Sequence, residues 1–140
     1  MESVVLALVV VGIVAVLLIW RAGGGGRPPA GRGESFRTRV VGVSHRNDNG
    51  SSRQEIVRGC SVGEALRLVR EPENPHDPNA IRVCTRDGDQ IGFLAADVAA
   101  RLAPRLDAGA AAKAEIIALT GGTRDKPTRG VNIEITIARR

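Results

Sequence analysis

The sequence predicts a mainly β domain with one helix, an α+β arrangement whose short strands curl into a small, partly open barrel, preceded by a single transmembrane helix. Three observations carry this. Residues 36–140 hold several short segments in which apolar and polar residues alternate, broken by Gly, Pro and Asn-Gly or Asp-Gly turns. One stretch, 95–108, instead repeats apolar residues four positions apart. The stretch from Val4 to Trp20 is apolar without interruption.

That first stretch, VVLALVVVGIVAVLLIW, has 17 residues. As a helix it rises about 25 Å, just short of a hydrocarbon core of about 30 Å, and Ser3 and the interfacial Trp20 complete the span. A small domain has too little mass to surround a helix that is apolar on every side. A cleaved signal peptide needs a basic start and small residues before the cut, and Met1-Glu2-Ser3 offers no basic side chain. Residues 1–21 therefore read as an uncleaved anchor. Arg21, Arg27 and Arg32 follow the run and only Glu2 precedes it, so the positive-inside bias places the N-terminus outside and the rest in the cytoplasm, at an inner or plasma membrane. There Cys60 and Cys84 stay reduced. Residues 22–35, AGGGGRPPAGRGES, form a flexible linker spanning about 20 Å on average.

In the domain from residue 36, Phe36 to Val43 alternates as a strand with Arg37 and Arg39 on its wet face. His45 to Arg53 is polar and carries the turn pair Asn49-Gly50. Gln54 to Arg58 and Ala65 to Arg70 are two further strand candidates. Ala80 to Cys84 and Gln90 to Phe93, joined through Asp87-Gly88, form a hairpin. Ala95 to Ala108 is the helix, with Val98, Ala99, Leu102 and Leu106 on one face and Gly109 as its stop. Pro104 is expected to kink it or end it early. Lys113 to Leu119 and Val131 to Ala138 are the last strands, and GGTRDKPTRG between them is a mobile basic loop.

Composition narrows the function. Trp20, Phe36 and Phe93 are the only aromatic residues of the 140, against a surface built on many stacked rings. Twenty basic and 15 acidic residues give +5, of which the domain from residue 34 carries +3, a mild excess for a nucleic-acid binder. Two cysteines without CxxC spacing exclude a disulfide scaffold and give no support to structural zinc. No phosphate-binding GxxxxGK[ST] loop or GxSxG elbow is present. Glu71, Glu73, His76 and Asp77 are too crowded on a proline-rich loop to converge on a metal. No enzyme activity, metal or cofactor is expected.

The densest segment is Leu68 to Phe93, LVREPENPHDPNAIRVCTRDGDQIGF. Pro72, Pro75 and Pro78 fix three φ angles, and Asn74, Asp77 and Asn79 are suited to Asx turns, so a rigid polar loop follows. Those side chains either only build the loop or also form one lip of a nucleotide pocket. Arg70-Glu71-Pro72, the run from Asn74 to Val83, Gly88, and Ile91 to Leu94 resemble the core of the HIRAN domain, with Val40 to Val43 fitting its first strand. The resemblance covers about residues 36–107 well and the last strands loosely. It implies an OB-like barrel of the kind that, in large fork-remodelling ATPases, captures a free 3′ end of single-stranded DNA beside a helicase motor and a RING, neither of which fits in this chain. The family's pocket uses aromatic residues where this chain has His45 and His76, and a basic residue after the Ile-Gly strand where it has Leu94-Ala95-Ala96.

The expected ligand-facing residues are His45, Arg46, Asn74, His76, Asp77, Asn79 and Phe93. Asp77 is suited to accept a hydrogen bond from a terminal 3′ hydroxyl, His76 to stack on a base or touch phosphate, and Arg46 to contact phosphate. The expected function is a membrane-tethered, non-catalytic module for single-stranded or 3′-terminal DNA, alongside a protein partner that supplies catalysis. The alternative is a membrane-anchored adaptor that takes a peptide in the same pocket.

Overall fold

The computed structural model describes residues 33–139. The expected membrane span and most of the linker lie outside them. No helix among the described residues is long and apolar enough to cross a membrane.

Six strands and two helices follow in order: β1 (Glu34–Val41), α1 (Arg53–Arg58), β2 (Ala65–Arg70), β3 (Ile81–Cys84), β4 (Gln90–Leu94), α2 (Ala96–Asp107), β5 (Ala112–Thr120) and β6 (Gly130–Ile137). Strict alternation creates the strands. In β6, Val131, Ile133, Ile135 and Ile137 are buried while Asn132, Glu134 and Thr136 face outward. Each such aliphatic side chain contributes roughly 1.5–3 kcal/mol on full burial. The inward residues of all six strands, with Val98, Ala99, Leu102 and Ala103 of α2 and Val57 of α1, form one core.

The strands run β1-β4-β3-β2-β5-β6 and close into a barrel, rather than the partly open one expected from the sequence. Closure depends on β1, whose first six residues pair with β6 from Glu34↔Ile137 to Arg39↔Asn132, and whose last two pair with β4. Alternation within a strand carries no information on this first-to-last pairing. Bulges at Val83/Cys84 and Ile116/Ala118 bend β3–β4 and β5–β6. Gly92 permits the β4–β1 seam: a Cβ there would collide with Val41 O and the Val40 side chain.

Three other expectations are corrected. Gln54 to Arg58 is helical, not a strand. Ser52 caps α1 by accepting from Glu55 N at 3.4 Å, with Glu55 in the first turn and Arg58 in the last, both favourable to the helix dipole. The domain therefore has two helices. The second runs through Pro104 to Asp107. Pro104 stands in its last turns, so the missing N–H costs one rung, and Pro104 O still accepts from Ala108 N. Glu34 and Ser35, assigned to the linker, open β1.

The last turn of α2 is tied down at two points. Arg105 reaches Glu34 at 2.8 Å, and Arg70 of β2 grips Asp107 with two bonds of 2.9 and 3.1 Å. The fork on Asp107 holds its carboxyl below the ordinary range. Both cysteines are free and buried, and burial pushes the Cys60 thiol up to about 11.

Candidate nucleic-acid interface

Two loops and one outward-facing row of strand residues make up the site. The first loop, residues 71–80, is built by its own side chains. Asn74 Oδ1 accepts from His76 N (2.9 Å) and Asp77 N (3.2 Å), Asn74 Nδ2 donates to Glu71 Oε2 (2.9 Å), and Asp77 Oδ1 accepts from Asn79 N (2.8 Å). Asn74 and Asp77 thus hold the loop by Asx turns, as the sequence implied. Asp77 is half-buried, and its second oxygen, Oδ2, accepts no hydrogen bond from any described residue. His76 is exposed, and its ring makes no hydrogen bond among the described residues. Asn79 is half-buried and contributes its backbone N–H to the turn.

The second loop joins β1 to α1. His45 is exposed and its backbone O accepts from Arg53 N at 3.4 Å. Arg46 folds back to donate to Gly50 O (2.9 Å), so part of the cation expected on phosphate holds its own turn. Asn47 is the fastening point, donating to Ser51 Oγ and to Gln90 O, both at 3.0 Å, which attaches this loop to β4.

Between the loops runs a cross-strand row. Phe93 of β4 stands opposite Val41 of β1 and Arg82 of β3, and Arg82 stands opposite Val69 of β2. Val41 and Val69 are about two-fifths exposed, so the row presents apolar surface with one guanidinium in it. Arg82 ion-pairs with Glu71, which locks the first loop to β3, and its buried Nε has no hydrogen-bond partner among the described residues. Arg53, only 8% exposed, lies over the Phe93 ring at 5.4 Å and donates to Asn47 Oδ1 (2.7 Å) and Gly42 O (2.9 Å). A polar cleft of about 190 Å³ opens beside Arg82, between Asn47 to Ser51 and the β3–β4 turn.

The sequence matches the HIRAN domain family over residues 33–134. The chain belongs to the HIRAN domain family. Similar curated proteins include the Fanconi-associated nuclease 1 homolog of Arabidopsis thaliana, 32% identical over 84 residues, 54% of this chain and 9% of that one. The helicase-like transcription factor of Oryctolagus cuniculus is 48% identical over 44 residues, 31% of this chain and 4% of that one. The chain spans under a tenth of the length of these relatives. The crystal structure of the HIRAN domain of human HLTF has a TM-score of 0.56 at 27% identity over 74% of each chain. A Lactobacillus plantarum protein shares the fold, with a TM-score of 0.56 at 21% identity over 76% of this chain and all of that one. The HLTF HIRAN domain has also been described in a DNA-bound conformation.

In this HIRAN domain, Asn74, His76, Asp77 and Asn79 fall together on one loop and His45 and Arg46 on another, with Phe93 between the loops. Three residues that hold them there escape sequence reading. Glu71 and Arg82 form the ion pair beneath the first loop, and Arg82 shows in the sequence only as an outward position of an alternating strand. Arg53 carries no local signal, because an arginine opening a short helix resembles any solvated cation. Burial pushes its guanidinium below the ordinary value, countered in part by Asp48. It remains a cation at neutral pH. Glu71 is engaged by Arg82 and Asn74, and Asp77 Oδ1 by Asn79 N, which leaves Asp77 Oδ2 of this HIRAN loop unengaged among the described residues.

Proposed function

We propose that this chain is a membrane-tethered, non-catalytic HIRAN module that takes single-stranded DNA by a free 3′ end at the surface around Phe93. The observation that carries the reading is the pair of fastened loops on either side of that ring, one of which leaves Asp77 Oδ2 and the His76 ring without hydrogen bonds among the described residues. Phe93 and the exposed valines give a face for a base, Asp77 Oδ2 an acceptor for a terminal hydroxyl, and His45, His76 and Arg46 contacts to base or phosphate. The likeness to the human HLTF domain, with the HLTF HIRAN domain known in a DNA-bound conformation, supports the same ligand class. The apolar run from Val4 to Trp20 supports the tether, and the three arginines after it support a cytoplasmic domain. A catalytic partner, on another chain, would act on the end the module holds.

The test uses the full chain in neutral detergent and 5′-labelled oligonucleotides with a free or a phosphorylated 3′ end. Asp77→Asn keeps an oxygen for Asn79 N–H and turns Oδ2 into an amide. A hydrogen bond to a charged acceptor contributes roughly 1.5–3 kcal/mol, so the preference for the free end should fall about tenfold or more. Equal losses at both ends would leave Asp77 a loop-building residue. No binding by the unaltered chain at low salt would remove DNA as the ligand and leave the peptide adaptor.

A further inference from the structure

The connection between β5 and β6, residues 121–129, is a built projection rather than the mobile loop its composition suggests. Gly121 and Gly122 both lie at φ near +70°, and a Cβ at Gly121 would collide with Thr128 O, so the two limbs run close together. The turn between them is reciprocally bonded: Thr123 N donates to Lys126 O (3.1 Å) and Lys126 N to Thr123 Oγ1 (3.2 Å). One limb is clamped by a single side chain of α1. Gln54 donates through Nε2 to Arg129 O (3.0 Å) and Val43 O (2.8 Å), and accepts from Arg129 N at Oε1 (2.9 Å). Val43 lies two residues before His45. Gln54 therefore fixes the base of the projection to the loop that carries His45 and Arg46, just as its neighbour Arg53 fixes Gly42 O of the same loop.

The projection carries Arg124, Lys126 and Arg129 against the single Asp125. Arg124 and Lys126 are exposed and make no side-chain hydrogen bond or ion pair with any described residue. Among the described residues Arg37, Arg70, Arg82 and Arg105 each hold a carboxylate, while other cations such as Arg67 and Lys113 do not, so it is their place on the projection that sets Arg124 and Lys126 apart. Two uncommitted cations on a stiffened arm beside an end-binding site suit a polyanion that continues past the site. From Arg129 to Arg124 the chain reaches at most about 17 Å, enough to extend beyond a terminal nucleotide.

We infer that residues 121–129 form a phosphate-contacting arm, in which Arg124 and Lys126 hold the backbone of the strand leading to the captured end. The inference rests on the DNA-end reading above and extends it from one terminal nucleotide to the strand behind it. Contacts of this kind carry no base preference and show themselves through salt dependence.

The full chain in neutral detergent is titrated with 5′-labelled (dT)3 and (dT)12, both with free 3′ ends, over a range of salt. The unaltered chain should bind (dT)12 more tightly than (dT)3. R124A/K126A should remove most of that gain, leave (dT)3 unchanged, and lower the slope of log affinity against log salt on (dT)12 by about 1.4, roughly 0.7 for each phosphate no longer neutralised. K113A/R139A removes the same charge elsewhere on the chain and should leave the slope and the length gain in place. Equal effects of the two double variants, or equal losses on both oligonucleotides, would overturn the arm while end binding stands. Failure of the unaltered chain to bind either oligonucleotide would overturn the end-binding reading and the arm with it.

Discussion

Replacing Arg53 by methionine keeps a long apolar stem and removes the guanidinium. Two bonds go with it, to Asn47 Oδ1 and Gly42 O, along with the cation over Phe93. A bond from a charged donor contributes roughly 1.5–3 kcal/mol, and a cation–π contact about 0.5–2 kcal/mol. These do not simply add, because burying the guanidinium also costs solvation, visible as its lowered pKa. A net loss of about 2–4 kcal/mol follows. At roughly 4 °C or more per kcal/mol for a domain of this size, the melting temperature should fall by about 8 °C or more.

Calorimetry of the full chain in neutral detergent measures that fall, and amide exchange locates it. The amides of Asn47 and Arg53, bonded to Ser51 O and His45 O, should lose protection before those of β6. Arg53→Lys separates charge from shape, since an ammonium has no planar fork to serve two acceptors and cover a ring at once. It should lose nearly as much as the methionine variant. A melting temperature for Arg53→Met within about 2 °C of the unaltered protein would show that Arg53 does not hold these loops, and full rescue by lysine would show that charge alone matters.

Gly92→Ala should destabilise by about 1–3 kcal/mol or more in a denaturant titration, because the new methyl meets the β1 backbone at the barrel seam. A neutral result would mean that the seam yields freely. The Arg70–Asp107 fork predicts a pH dependence. Asp107 titrates below its unfolded value, so its contribution is present above the usual carboxylate pKa of about 3.9 and is lost as pH falls through the lower folded value. Arg70→Met should flatten that acid limb of stability, and an unchanged limb would show that the fork does not drive it.

The parts of the fold that were legible in the sequence are those decided within a few residues. The alternation from Val131 to Ile137 admits one register, since a slip by one would turn four aliphatic side chains outward. The hairpin through Asp87-Gly88 and the helical face of Val98, Ala99 and Leu102 are equally local. Loop 71–80 was legible because its prolines and Asx turns act over two or three residues. Closure of the barrel was not, because it joins Glu34 to Ile137 across the whole domain. The helix α1 was missed because six residues hold too few apolar positions to show a period: Ile56 and Val57, flanked by polar residues, fit a strand as well as a helix.

The missed helix is also what organises the site. Arg53 and Gln54, adjacent in its first turn, take the adjacent carbonyls of Gly42 and Val43. From there Arg53 continues to Asn47 and Phe93, and Gln54 to Arg129. Had this segment been the expected strand, successive side chains would have pointed to opposite faces of a sheet. In the helix, the two neighbours grip the same loop at consecutive peptides. β4 places Phe93, the short helix fastens the loop that carries His45 and Arg46, and Arg82 of β3 separately fastens loop 71–80 through Glu71. Apart from Phe93 on β4, the candidate contact side chains lie in loops that each carry local signals, whereas the residues that hold those loops together act across 6 to 75 positions of sequence. The candidate contacts were therefore readable one by one, and their assembly into a single surface was not.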